Sequence, residues 1–135
     1  MDTGFSKDTR ILIIDDSVTF RKMLYKILES QGFTSLQEAS NGEEAWEKIC
    51  HDNQPYGLVL CDIHMPKING LEFLKKLRSD DRFKNLPLIL VTSERDKKMM
   101  AEGVLAGASH YLTKPITEEN LFQRMVYVAK KTAKT

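Results

Sequence analysis

Short apolar runs alternate with longer segments of helical period, and the alternation repeats five times along the chain. The runs are Ile11 to Asp15, a weaker Ser35 to Ala39, Leu58 to Asp62, Leu86 to Thr92, and Ser109 to Leu112. Such alternation is the pattern of βα units on a parallel sheet. Three of the runs are continuously apolar, as strands covered on both faces by helices must be. The intervening segments predict helices over 17–31, from Asn41 through Ile49, over 70–78, over 96–105 and over 118–131.

Local chemistry agrees with these bounds. Gly32 suits the residue just past a helix C-terminus. Asn41 and Thr117 suit N-caps, and Glu118 with Glu119 opens the last helix where its dipole favours negative charge. The 135 residues, 41% of them hydrophobic, are enough for one core, so the expectation is a single α/β domain over 1–135, with its core at roughly 10–131 and no output domain.

Bulk charge excludes some partners. Lys and Arg number 20 against 19 Asp and Glu, which argues against direct DNA binding. No apolar stretch reaches the roughly 18 residues a bilayer requires, so no membrane insertion is expected. Cys50 and Cys61 have no metal-ligand spacing and read as reduced structural residues of a cytoplasmic protein.

The informative residues stand at the ends of the apolar runs. Asp15 and Asp16 end the first, Asp62 the third and Thr92 the fourth, and Lys114 follows the fifth by two residues. In an open parallel sheet the carboxyl ends of the strands are where ligands bind. Three gathered carboxylates repel one another unless cations compensate; Lys114 supplies one charge and a hard divalent ion such as Mg²⁺ suits the rest. Taken singly, Asp15 or Asp16 reads equally well as a turn former or helix N-cap, and Ser17 could be the cap instead. The conjunction at four strand ends favours a site.

These residues resemble the receiver domain of two-component response regulators, most closely the single-domain chemotaxis type. The resemblance lies in "IIDDSVTFRKML", "DIHMPKING", "LVTSE" and "YLTKP", four motifs in order across residues 10 to 131. It implies a flavodoxin-like doubly wound (βα)5 fold with strand order 2-1-3-4-5. It further implies that Asp62 accepts a phosphoryl group from a sensor histidine kinase or a small donor. Asp16 would ligate Mg²⁺ directly and Asp15 through water, with Asp62 and the backbone carbonyl of His64 completing the protein's share. Thr92 and Lys114 would each bind a phosphoryl oxygen, and a cis Lys114-Pro115 peptide would turn the lysine back into the pocket.

By the same resemblance Tyr111 falls at the aromatic switch position, coupled to Thr92, while His64 and Glu94 fall where side chains tune hydrolysis of the acyl phosphate. Packing alone is the alternative for Tyr111, and a solvated loop histidine for His64. The expected role is a phosphorylation-controlled binding module that engages a downstream effector, or alternatively a shuttle to a histidine phosphotransfer protein. It would be no enzyme beyond its own phosphorylation and dephosphorylation. A phosphohydrolase would want a second aspartate where His64 stands, and an FMN site would be repelled by the carboxylates after the first strand. Met99, Met100, Val104 and Leu105 are more apolar than one packed stripe needs; they read as core for the most part or as a partner surface. Trp46 reads as packing, and the closing "AKKTAKT" as a solvated helix end.

Overall fold

A computed structural model of the chain describes residues 2–93 and 96–133. Five strands, β1 (Ile11–Ile14), β2 (Leu36–Ala39), β3 (Leu58–Asp62), β4 (Leu88–Thr92) and β5 (His110–Thr113), form one sheet. Every pairing is parallel and the order is β2-β1-β3-β4-β5. The helices are α1 (Val18–Ser30), α2 (Gly42–His51), α3 (Gly70–Arg78), α4 (Lys97–Leu105) and α5 (Glu118–Ala133).

The order explains the hydropathy of each run. The three continuously apolar runs are the three inner strands, and every residue of β1, β3 and β4 is buried. The two edge strands β2 and β5 are only partly buried, so their runs are weaker. Because side chains alternate across a strand, Leu12, Ile14, Val59, Cys61 and Leu90 face one layer with Ala45, Ile49, Phe73, Leu74 and Leu77. Ile11, Ile13, Leu58, Leu60, Ile89 and Val91 face the other, with Leu24, Leu28, Leu121, Met125 and Val128.

Helix ends follow the local chemistry. The Ser17 hydroxyl accepts from the Phe20 N–H, so Ser17 caps α1. Gly32, with φ +96°, ends that helix, and the Phe33 N–H returns to the Leu28 carbonyl. Asn41 caps α2, but Glu44 reaches back to the N–H and hydroxyl of Ser40, one residue earlier than a capping box requires. Asn69 and Glu72 make a complete box on α3, and Thr117 with Asn120 exchanges equivalent bonds at α5.

The chain leaves β1 toward β2 on one side and crosses to β3 on the other, so strand order reverses between β1 and β3. The carboxyl ends of those two strands therefore border the crevice where α/β sheets bind ligands. Asp62 is the last residue of β3, and Asp15 is the first residue after β1.

Candidate functional site

One carboxylate oxygen each from Asp15, Asp16 and Asp62 lie within 4.8 Å of one another. Asp15 and Asp62 are buried and Asp16 is exposed. The Lys114 ammonium stands 3.5 Å from Asp15 Oδ2 and 3.6 Å from Asp62 Oδ1. Burial pushes the Asp62 carboxyl up to about 6, with the charge of Asp15 adding to the rise and Lys114 opposing it. Burial also raises Asp15, against the Ser17 N–H and Lys114.

Asp15 serves both readings of a strand-end acid. Its Oδ1 accepts from the Ser17 N–H at 2.8 Å, an Asx turn that feeds the chain into α1. Its Oδ2 is buried without a hydrogen-bond partner among the described residues, which leaves an acceptor aimed into the cluster. Three carboxylates against one ammonium leave a formal excess of two negative charges. An oxygen-only donor set of this charge fits a hard divalent cation, and Asp15, Asp16 and Asp62 could hold one.

Lys114 is placed from two directions. Its backbone N–H donates to the Thr92 carbonyl at 2.7 Å, joining the ends of β4 and β5, and its ammonium lies 4.1 Å from the centroid of the Phe20 ring on α1. The Lys114-Pro115 peptide is cis. Replacing Lys114 by Met should raise the midpoint of the Asp62 carboxyl by roughly one pH unit in metal-free protein. A carboxyl ¹³C titration reads this directly, and an unmoved midpoint would refute the pairing.

Thr92 is buried at the end of β4. Its hydroxyl has two long contacts of 3.4 Å, to the Ser93 carbonyl and to Asp96 Oδ2. The same Asp96 oxygen accepts from His64 Nε2 at 2.7 Å and from the Ser93 hydroxyl at 3.0 Å. These bonds, that from His64 first, hold the Asp96 carboxyl below the usual carboxylate range. His64 is thus tied to the loop after β4 rather than solvated alone. Asp96 was not legible as a site residue because its position reads simply as a helix start. An acid four residues past a strand-end threonine is the signal that marks it. Glu94 lies outside the described residues.

Tyr111 is half-buried and lines a groove with Lys97, Met100, Ala101 and Val104. Met99 packs on the core beside it, whereas Val104 and Leu105 are exposed, Leu105 at 88%. The surplus apolar surface of α4 is therefore divided between core and solvent. Trp46 packs edge-on against Phe83 beneath Lys76, a structural role.

A model of the response regulator receiver domain matches residues 11–126. The chain belongs to that family. The chemotaxis protein CheY1 of Helicobacter pylori is 37% identical over 119 residues, covering 88% of this chain and 95% of that protein. A CheY homolog of Campylobacter jejuni is 33% identical over 116 residues, with 86% and 88% covered. Among solved structures, a putative response regulator of Chloroflexus aurantiacus aligns with a TM-score of 0.83 at 32% identity, covering 91% of this chain and 98% of that one. Chemotaxis protein CheY4 of Vibrio cholerae aligns at 0.80 and 29% identity, with 90% and 98% covered.

Proposed function

We propose that this receiver domain acts as a chemotaxis-type response regulator: it takes a phosphoryl group onto Asp62 from a sensor histidine kinase and changes its affinity for a downstream effector. The observation that carries the reading is the convergence of Asp15, Asp16 and Asp62 within 4.8 Å, with Lys114 at 3.5 and 3.6 Å, at the point where strand order reverses. The relatives described as chemotaxis proteins support the biological setting.

In the transfer, an ionised Asp62 oxygen attacks phosphorus in line. The new O–P bond forms as the P–N bond of the donor phosphohistidine breaks, and the imidazole nitrogen keeps the bonding pair. Since the nucleophile is already ionised above its midpoint of about 6, it needs no general base. Asp15, Asp16, Asp62 and the His64 carbonyl would hold Mg²⁺, which when bound supplies positive charge to the phosphoryl oxygens. Lys114 pairs with another of those oxygens and the Thr92 hydroxyl donates to a third. Catalysis is positioning and charge neutralisation, and extends only to the domain's own phosphorylation and dephosphorylation.

When Thr92 turns toward the phosphoryl group it vacates space beside β4, and the half-buried Tyr111 ring can move inward. That alters the face made by α4, β5 and α5, where Val104, Leu105 and Tyr127 are exposed for a partner. A kinase donor and an effector recipient place the chain in the cytoplasm.

With acetyl phosphate and Mg²⁺ the intact mass should rise by one phosphoryl group, localised to Asp62 and lost when a chelator is present during the reaction. An unchanged mass, or a modification elsewhere, would overturn the reading.

A further inference from the structure

Asp96 occupies the N-cap position of α4, where an aspartate ordinarily accepts from the second or third backbone N–H of the helix. It makes no such bond. The other four helices carry side-chain caps at Ser17, Asn41, Asn69 and Thr117. The Asp96 carboxylate is instead turned back over the strand ends, where one oxygen collects His64 Nε2 at 2.7 Å, the Ser93 hydroxyl at 3.0 Å and, more loosely, the Thr92 hydroxyl at 3.4 Å. Its backbone, at φ −105° and ψ 37°, lies outside the extended region that the caps of α1, α2 and α3 adopt.

We infer that Asp96 is a positioning residue with two alternative sets of donors, and that its exchange between them carries the state of Asp62 to helix α4. This rests on the phosphorylation reading above. In the resting arrangement Asp96 restrains Thr92 and His64 and makes no cap bond to α4. A phosphoryl group on Asp62 offers Thr92 a better acceptor, because a hydroxyl donating to a phosphoryl oxygen at ordinary hydrogen-bond distance makes a stronger bond than the 3.4 Å contact it leaves. Asp96 thereby loses one donor, and the Lys98 and Met99 N–H groups, the second and third of the helix, compete for its carboxylate. Satisfying them requires ψ of Asp96 to rotate into the extended region, which re-aims the first turn of α4 and with it Lys97 and Met100, two residues of the Tyr111 groove.

The consequence is local to four bonds and can be read at single amides. In the full chain with Mg²⁺, beryllofluoride, a stable mimic of the phosphoryl group, should slow hydrogen exchange at the Lys98 and Met99 N–H groups about fivefold, the scale of one restored cap bond. Asp96→Asn, which keeps an acceptor oxygen, should retain the slowing. Asp96→Ala should lose it while still binding beryllofluoride, followed by ¹⁹F resonance. Equal exchange with and without beryllofluoride in wild type, or full slowing in Asp96→Ala, overturns the role of Asp96 and leaves the phosphorylation reading standing. Failure of wild type to bind beryllofluoride overturns both.

Discussion

Asp62→Asn should take up no phosphoryl group from acetyl phosphate and yet, without metal, unfold at a higher temperature than the wild type at pH 7. Loss of uptake follows because an amide oxygen is no nucleophile toward phosphorus. The gain in stability follows from the electrostatics of the cluster. An unfolded chain titrates this carboxyl near its ordinary value of 3.8, whereas in the fold it is pushed up to about 6, first by burial and then by Asp15. The folded state therefore holds the proton more tightly. Its advantage is complete below about pH 4, declines as pH rises, and is gone above about 6, where folding confines an ionised carboxylate that the unfolded chain would solvate. At pH 7 the cost is on the order of 2 kcal/mol, or several degrees of unfolding temperature in a domain of this size. Removing the charge orphans nothing, since Lys114 still lies 3.5 Å from Asp15.

Two controls make that result specific. The difference between variant and wild type should shrink as pH falls toward 4, and Mg²⁺ should stabilise the wild type more than the variant, because a ligand that binds only the folded state raises its stability in proportion to occupancy. Thermal melts in chelator and in Mg²⁺, at pH 7 and pH 4.5, test both. Equal melting temperatures, or a difference indifferent to pH, would show that the cluster does not strain the fold. The expected outcome is that of a site whose geometry is kept for function at the expense of stability.

The sheet was legible because inner and outer strands have different chemistry: β1, β3 and β4 cannot carry a polar residue on either face until their carboxyl ends. Boundaries were less so. The fourth run is apolar from Leu86, but the strand starts at Leu88 because Pro87 has no N–H to donate; only its carbonyl joins the ladder, accepting from the Val59 N–H at 2.9 Å. The fifth strand extends to Thr113, one residue past the apolar run, since an edge strand is defined by pairing and not by burial. Asp15 was legible as either a turn residue or a candidate site residue, and its two oxygens divide accordingly, one making the turn and the other lying in the acidic cluster. Asp96 was legible only as a helix start. Its partners His64 and Thr92 lie 32 and 4 residues away, and only the folded sheet brings the loops after β3 and β4 together. Nor could periodicity say which apolar residues of α4 face solvent, because a nine-residue helix with apolar side chains on most sides has no single stripe.

Gly70→Ala should be the most disruptive small change to both fold and site. Gly70 is the first residue of α3, and its N–H donates to the Ile63 carbonyl at 2.8 Å, so the start of the helix is drawn against the end of the strand that carries Asp62. A Cβ there would fall 2.2 Å from the Asp62 carbonyl oxygen and 2.8 Å from Ile63 Cα. Both belong to the main chain around the Asp62–Ile63 peptide, which the Ile63 N–H bond to the Val91 carbonyl at 3.1 Å holds in place, and they cannot swing clear. Relief requires α3 to retreat from β3, opening the packing of Phe73, Leu74 and Leu77 and moving the Asp62 main chain. A loss of about 3 kcal/mol or more is expected from overpacking against backbone, together with at least a tenfold weaker Mg²⁺ affinity, since ligand geometry for this ion is strict. Gly103→Ala supplies the contrast. Its Cβ would also fall at 2.2 Å, but from Leu90 Cδ1, the tip of a side chain that can change rotamer. That substitution sits inside α4, where alanine is favoured over glycine by up to about 1 kcal/mol, so the net loss should stay below about 2 kcal/mol. Urea unfolding of the two variants decides the matter. If they lose equal stability, contact with the Asp62 backbone is not what makes Gly70 necessary; if Gly70→Ala loses far more and also weakens Mg²⁺ binding, the same contact positions Asp62.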